Sequence, residues 1–389
     1  MTAPHPQTRL DRFAKRFPLV SQSHLVYPSL AARVEEVRTC AEKSTQNGPP
    51  RGRINLACAT WNLSALIASD CGLTDLATDL CQRQLRLFQE AWPVAGDTAI
   101  ACLQPIVNLI RLTARAGDPQ AAYQHLMSMH RALYDGGTVT VRGHPIDLTG
   151  LATDATLDHI QPWLRTVLLE DGTRLLAATG QWLEAADHAT VYDKAPERLH
   201  TSRQAHVIAH LHTASPDAAT SLIDTATITE RWERAVAQNL RHYADHLADR
   251  ATAEAFSAVV NTVRGALEPN PPNLRMFRAR LVLAATDLAS EGCEAQTRPL
   301  HNALISDTIQ AGDAYAAREI LRHPALSASE RSHRELEAIV RDGRLSQGSL
   351  PKSVLSTMMR AVNTAGTSLV HCLAEERTAT PNSRCPEGD

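Results

Sequence analysis

Apolar residues recur every three to four positions from Ile54 almost to Glu376, and this periodicity constrains the fold most strongly. A period of 3.6 places an apolar stripe along one face of each helix, and such stripes must pack against other helices. Aromatic residues make up only 4% of the chain, which favours closely packed helices over an aromatic-rich β sandwich. The sequence therefore predicts an all-α fold.

One segment interrupts the helical pattern. Residues 137-GTVTVRGHPIDL-148 alternate apolar and polar side chains in two short runs, with Arg142, Gly143, His144 and Pro145 between them. Strict alternation is typical of a β-strand, and a short break between two such runs is typical of a hairpin turn. We expect one small β-hairpin at 137–148, inserted between helical segments.

A recurring junction separates the helical segments. Each junction begins with glycine and continues into a run rich in alanine, at 72-GLTDLA-77, 117-GDPQAA-122, 180-GQWLEAA-186 and 312-GDAYAA-317. Glycine readily takes the left-handed conformation at the end of a helix, and alanine lets the next helix lie close. Asp118 and Asp313 are expected to cap the following helices. Weaker versions occur at 215-SPDAAT-220 and 250-RATAEAF-256, and the whole set predicts successive helical hairpins.

This hairpin pattern resembles that of bacterial tetratricopeptide (TPR) repeat proteins. The closest match is 175-LLAATGQWLEAADHA-189, with Gly180, Leu183, Ala185 and Ala186 at repeat positions. The junctions at 180, 215 and 250 recur at close to the roughly 34 residues of a TPR unit. The earlier intervals are longer, so a generic helical array is the alternative. The resemblance covers roughly 54–345 and implies a TPR-like α-solenoid of antiparallel helix pairs that recognises peptides on its concave surface.

The remaining segments flank this predicted array. Residues 1–53 are expected to form an irregular N-terminal arm with one helix at 29–44 and a linker at 45–53, where Pro49 and Pro50 cannot continue a helix. Residues 346–376 are expected to form a C-terminal helix that packs on the array. The tail at 377–389 lacks apolar residues and is expected to be disordered.

Charge and cysteine content limit the partners and the location. The formal net charge is −3, so no general field attracts the chain to nucleic acid or to an acidic membrane. No apolar run reaches the ~18 residues of a membrane span, and the first thirty residues show no secretory signal. Eight cysteines form no CxxC pair and are expected to be reduced thiols. We therefore expect a cytoplasmic location, with no direct nucleic-acid or membrane partner.

Motifs for catalysis are missing apart from two histidine pairs. The sequence contains no GxSxG, no GxxxxGK[ST] and no GxGxxG. His206 and His210 stand four residues apart, as do His242 and His246, and such pairs can supply two ligands to a metal ion. No HExxH accompanies them. Partly exposed histidines that form hydrogen bonds are the alternative explanation.

Polar residues at helical spacing give the main candidate site. They form three stripes, each on one face of a predicted helix, and the site comprises Asn55, Asn62, Gln104, Asn108, Arg111, Arg115, Asn239, His242, His246 and Arg250. In a stacked array these stripes would converge on one concave groove. Amides can bond the main chain of a peptide, and arginines can hold carboxylates or phosphates. An ordinary solvated helix face is the alternative interpretation.

The expected function is therefore binding without catalysis and without a cofactor. We expect a cytoplasmic scaffold or regulator whose polar groove takes a protein or peptide partner. The alternative is an all-helical, metal-dependent enzyme with a cavity lined by His206, His210, His242 and His246. A sensor that binds a small ligand in the same groove is a third hypothesis.

Overall fold

The computed structural model describes residues 11–22, 26–94, 96–151, 154–268, 271–289, 293–326 and 328–379. This part of the chain contains seventeen α-helices and one two-stranded sheet, which confirms the all-α prediction. The chain divides into two compact units. Unit 1 comprises the described part of Met1–Ser29 together with Arg165–Gly343, and unit 2 comprises Leu30–Leu164 with Arg344 onward. Each unit is described by itself.

The elements follow one another in chain order with short connections. They are α1 (Leu30–Ser44), α2 (Pro50–Asp70), α3 (Thr74–Gln89), α4 (Gly96–Arg115), α5 (Pro119–Asp135), β1 (Thr138–Val141), β2 (His144–Asp147), α6 (Asp154–Val167), α7 (Thr173–Ala178), α8 (Trp182–Tyr192), α9 (Thr201–His212), α10 (Pro216–Asp224), α11 (Arg231–Leu247), α12 (Ala253–Ala266), α13 (Arg275–Leu288), α14 (Glu294–Ala311), α15 (Ala314–Arg322), α16 (Glu330–Asp342) and α17 (Lys352–Ala379). A π-helical turn at Leu168–Gly172 joins α6 to α7, and a 3₁₀ turn at Pro272–Leu274 precedes α13.

The predicted glycine junctions are confirmed as turns between helices. All four glycines have positive φ, at Gly72 (83°), Gly117 (98°), Gly180 (78°) and Gly312 (64°). Asp118 accepts a hydrogen bond from the amide of Ala121, and Asp313 accepts from the amides of Tyr315 and Ala316. The alanines after each turn are buried, at Ala77, Ala122, Ala185, Ala186 and Ala317. Local sequence is thus sufficient to specify these hairpins.

The two weaker junctions also separate helices, but without a glycine at the left-handed position. Ala214 and Asp249 occupy that position, each with φ of 53°. α10 begins at Pro216, and α12 begins at Ala253 after Thr252, whose hydroxyl accepts from the amide of Ala255.

The predicted β-hairpin is present. β1 and β2 pair antiparallel, with Thr138 opposite Asp147 and Val141 opposite His144. Arg142 and Gly143 form the turn with φ of 51° and 78°, the left-handed pair that a two-residue hairpin turn requires. The turn is shorter than predicted, because His144 and Pro145 already pair with β1 as part of β2. The alternation of apolar and polar residues therefore predicted the two strands correctly.

Three predicted boundaries are wrong. The C-terminal helix expected at 346–376 begins only at Lys352. α2 begins at Pro50, so the linker after α1 is shorter than 45–53; proline is tolerated in the first turn, where its missing N–H has no helical partner. α17 continues to Ala379, so residues 377–379 are helical, and the rest of the predicted disordered tail lies outside the described residues.

Unit 2 is closed by its last helix. α17 packs against α1, α2 and α3. Just before it, the amides of Ser346 and Gly348 donate to the carbonyls of Asp70 and Cys71, both at 2.7 Å. Ser368 donates to the carbonyl of Ser44 at 2.6 Å. These bonds occupy carbonyls that the ends of α1 and α2 leave unpaired.

Unit 1 is built around α13. Every residue of this helix except Arg280 is buried, because helices α11, α12, α14 and α15 all pack against it. Its buried charges are paired: Arg275 and Arg278 bond Asp307 at 2.9 and 3.2 Å, and Asp287 bonds His323 at 3.0 Å. A helix enclosed on all sides forms the core of a unit.

The described cysteines are all free thiols, buried except for Cys40. Burial raises the pKa of Cys58, Cys81 and Cys102 to about 12, so these thiols behave as small apolar side chains. Within the described ranges, no helix combines the length and hydrophobicity needed to cross a membrane.

Candidate binding surfaces

The stripes predicted on α2 and α4 face each other in unit 2. The Gln104 side chain donates to Asn108 at 3.0 Å, and Asn108 in turn donates to Asn62 at 3.1 Å. All three side chains are half-buried, so part of each carboxamide faces solvent. The sequence placed these residues on two helix faces, and the structure joins them into one line, which we call the amide row (Asn62, Asn108, Gln104).

The end of the α4 stripe has a structural role. Arg115 donates to Ser69 at 2.8 Å and to Asp70 at 3.0 Å. Asp70 is buried and also bonds the buried Arg33 at 3.3 Å. A carboxylate held by two guanidinium groups ties α1, α2 and α4 together. Arg115 is therefore already engaged with the fold, whereas the sequence assigned it to ligand binding.

The other predicted residues of unit 2 are exposed. Asn55 lies one turn from the start of α2, and Arg111 lies on α4 between Asn108 and Arg115. Both extend the surface on which the amide row lies. Their exposure agrees with either a groove or a solvated face.

The stripe predicted on α11 in unit 1 does not form an open surface. Asn239 is fully buried and donates to the carbonyl of Ala235 at 2.8 Å, and His242 is only 3% exposed. His246 is half-buried against the carbonyl of Leu288 at 3.0 Å, and Arg250 is exposed and paired with Asp217. The groove assignment is therefore wrong for Asn239 and His242, because the helices around α11 cover that face.

The predicted histidine cluster is not assembled for metal binding. The rings of His242 and His246 lie edge to face with centroids 4.7 Å apart, while His206 bonds the hydroxyl of Thr190 at 2.8 Å. In the described residues, no group of three or more His, Cys, Asp or Glu side chains could hold a metal ion. His210 joins no such group, so the geometry gives no support to the metal-enzyme alternative.

Unit 1 contains an amide contact that the sequence did not predict. Gln204, buried on α9, accepts from the main-chain N–H of Leu19 at 2.6 Å and donates to its carbonyl at 2.8 Å. The same side chain also donates to the carbonyl of Leu199 at 2.9 Å. Residues 19–22 have no regular secondary structure, so a single carboxamide bonds both main-chain groups of a residue in an irregular segment. The only available signal is a glutamine among apolar neighbours in α9.

The segment before Leu19 inserts into the unit 1 core. The Phe13 ring meets Tyr243 edge to face at 4.8 Å and lies 4.7 Å from the Phe17 ring. Arg16 bonds the fully buried carboxylate of Asp287 at 2.6 Å. Residues 11–22 of the predicted arm are therefore an integral part of unit 1, although the sequence showed no apolar period there, whereas residues 30–53 belong to unit 2.

A second surface feature of unit 2 is an open groove between α2, α3 and α17. It has a volume of about 590 Å³. We call it the Trp61 groove, and its lining residues are Trp61, Arg83, Arg86, Leu87, Glu90, Asn363, Gly366, Thr367 and Val370. Sequence analysis did not predict it, because α17, which supplies part of the lining, is far from α2 and α3 in the chain.

Comparison with models of protein families, with curated proteins and with solved structures finds no match to this chain.

Proposed function

We propose that the protein is a non-catalytic scaffold or regulator that binds an extended peptide segment along the amide row of unit 2. The proposal includes a cytoplasmic location and stacked helix pairs of the tetratricopeptide type. The observation that carries it is the alignment of Asn62, Asn108 and Gln104 on a half-exposed surface.

The chemistry of the amide row suits a peptide main chain. A carboxamide offers two N–H donors and an oxygen with two lone pairs, and the two hydrogen bonds of the amide row use only part of that capacity. The free groups can bond alternating N–H and C=O groups of an extended chain. Mutual bonding between the amides also fixes their orientation, which lowers the entropy lost on binding.

Unit 1 offers an internal precedent for this mode of binding. Gln204 bonds both main-chain groups of Leu19 with a single carboxamide. A side chain that reads only the main chain accepts many sequences, as expected of a scaffold. Arg111, exposed beside the row, could add preference for an acidic side chain.

The test is selection of peptides on the intact protein. Immobilised full-length protein is used to select from a library of random peptides, and the affinity of each selected peptide is measured by fluorescence anisotropy. The double variant Asn62→Ala/Asn108→Ala should weaken binding about tenfold or more, since each lost hydrogen bond contributes roughly 0.5–1.5 kcal/mol.

The matched control is Gln124→Ala/Asn261→Ala, which removes two exposed amides from α5 and α12. It should leave peptide affinity unchanged, and circular dichroism should show both variants folded. Failure to enrich any peptide, or equal affinity for the wild type and for Asn62→Ala/Asn108→Ala, would contradict the proposal.

A further inference from the structure

The Trp61 groove has an aromatic base. Trp61 is only 3% exposed, and its indole N–H has no hydrogen-bond partner among the described residues. Gly366 lies against the ring: a Cβ there would come within 3.3 Å of the six-membered ring and 3.7 Å of Leu87. The glycine thus keeps the indole edge free of side-chain cover from α17.

The rim of the groove carries positive charge. The Arg83 guanidinium lies 5.5 Å from the Trp61 ring centroid and donates to the Asn363 side chain at 3.3 Å. It also forms an ion pair with the carboxylate of Asp79 at 3.7 Å. Arg86 lies one turn further along α3, and within the described chain its guanidinium makes no hydrogen bond or ion pair. Glu90 is the single acidic residue of the lining, so the lining has a net positive charge.

Apolar side chains complete the surface. Leu87 is half-buried, and Val370 is one of the few large hydrophobic side chains with high exposure, at 47%. A volume of about 590 Å³ lies within the range of sites that hold small organic molecules, which is roughly 300–1,000 Å³. The groove therefore combines an apolar wall with an unpaired guanidinium.

We propose that the Trp61 groove binds a small organic carboxylate, whose apolar body lies against Trp61, Leu87 and Val370. Its carboxylate pairs with Arg86, and Arg83 lies beside it. A planar guanidinium matches a carboxylate in shape and can form two parallel hydrogen bonds with it. This site lies on a different face of α2 from the amide row, so it is a second binding function that does not depend on the peptide proposal.

Two matched probes test the ligand class on the full-length protein. Dansylglycine carries an apolar fluorescent body and one carboxylate, and dansylglycinamide has the same body without the charge. Dansyl emission rises and shifts to the blue in an apolar site, so direct titration gives both affinities. We expect dansylglycine to bind about tenfold more tightly than the amide, as a charge-assisted pair would produce.

Two variants locate the site. Arg86→Gln should reduce the affinity for dansylglycine to that for the amide, because the exposed arginine has no structural partner to lose. Thr367→Trp, at an exposed lining position on α17, should block both probes by filling the groove. Arg360→Gln and Thr364→Trp change exposed residues of the same helix outside the lining, and they should leave both affinities unaltered.

The outcomes separate clearly. Preference for the carboxylate that Arg86→Gln removes, together with blockage by Thr367→Trp alone, supports the proposal. Three results overturn it: no binding of dansylglycine to the wild type, equal affinity for the two probes, or affinities that Thr367→Trp leaves unchanged. Peptide selection on the amide row is a separate measurement, so failure of either proposal leaves the other standing.

Discussion

Residues that share one stripe of a helix end in different environments, and α11 is the clearest case. Asn239, His242 and His246 share one face of α11, yet the first two are buried and the third is half-buried. Arg250, predicted on the same stripe, lies beyond the end of α11 at Leu247 and is exposed. Helical spacing shows which residues share a face, but only the neighbouring helices decide which part of that face they cover. Both ring nitrogens of His242 lack hydrogen-bond partners in the described structure.

Burial of His242 should make the folded state sensitive to acid. Burial, together with the neighbouring His246, lowers the pKa of this histidine from 6.5 to about 4. The unfolded chain binds the proton first, so this contribution to stability is complete above pH 6.5 and is lost as the pH falls towards 4. Between pH 7.5 and 5 the loss should be roughly 1–2 kcal/mol.

Urea unfolding of the wild type and of His242→Gln at both pH values measures this contribution. The variant should lose less stability on acidification, by about that amount. His144→Gln, at an exposed position on β2, serves as the control and should behave as the wild type. If His242→Gln and the wild type have the same pH dependence, the histidine is not buried in its neutral form.

At the scale of elements, backbone conformation at the helix junctions was predictable. Left-handed φ values occur at the glycines that the sequence singled out, and capping by Asp118 and Asp313 follows the same local rule. Ala214 shows that the turn geometry persists where the sequence lacks glycine. A side chain with a Cβ is strained in that conformation by about 1–2 kcal/mol.

Substitutions at the junctions should therefore have opposite effects. Gly117→Ala should destabilise the protein by about 1 kcal/mol, and Ala214→Gly should stabilise it by about 0.5 kcal/mol, as the midpoints of chemical denaturation would show. Gly265 lies in the last turn of α12 with open space around it, so Gly265→Ala should stabilise through helix propensity. Equal effects of Gly117→Ala and Gly265→Ala would contradict the role of the left-handed turn.

At the scale of the whole molecule, chain order and packing order differ. The described residues before Leu30 belong to unit 1, although the whole of residues 30–164 separates them in sequence from the rest of that unit. Arg16 reaches Asp287 and Leu19 reaches Gln204 across this separation. The predicted array at 54–345 likewise spans residues of both units.

Truncation of Phe17 should therefore affect unit 1 selectively. Phe17→Ala removes a buried ring that packs on Phe13, and we expect a cost of about 3 kcal/mol. Hydrogen exchange followed by mass spectrometry should show faster exchange in peptides from 165–343 and little change in those from 30–164. Leu103→Ala, in the core of unit 2, should produce the reverse pattern. An even increase across both units would contradict the assignment of this segment to unit 1.

A candidate site could be predicted only where residues that share a helix face by their spacing are also in contact in the folded protein. The residues of the amide row could be predicted, because Gln104 and Asn108 lie on one face of α4 and Asn62 lies on the polar face of α2. The contact between the two faces depended on how α2 packs against α4. The contact of Gln204 with Leu19 and the Trp61 groove could not be predicted from the sequence. Each depends on residues that are distant in sequence, and an isolated glutamine or tryptophan carries no local signal of its partners.

Helix content, hairpin turns and the inserted strands followed from local pattern, because hydrogen bonding within a helix or turn involves residues only a few positions apart. The placement of the N-terminal segment, the burial of Asn239 and His242, and the Trp61 groove depended on long-range packing. Apolar stripes require the helices to pack against one another, but many different pairings of helices would bury similar areas of apolar surface. Complementary side-chain shapes and the pairing of buried charges select among those pairings, and both exist only once the chain is folded.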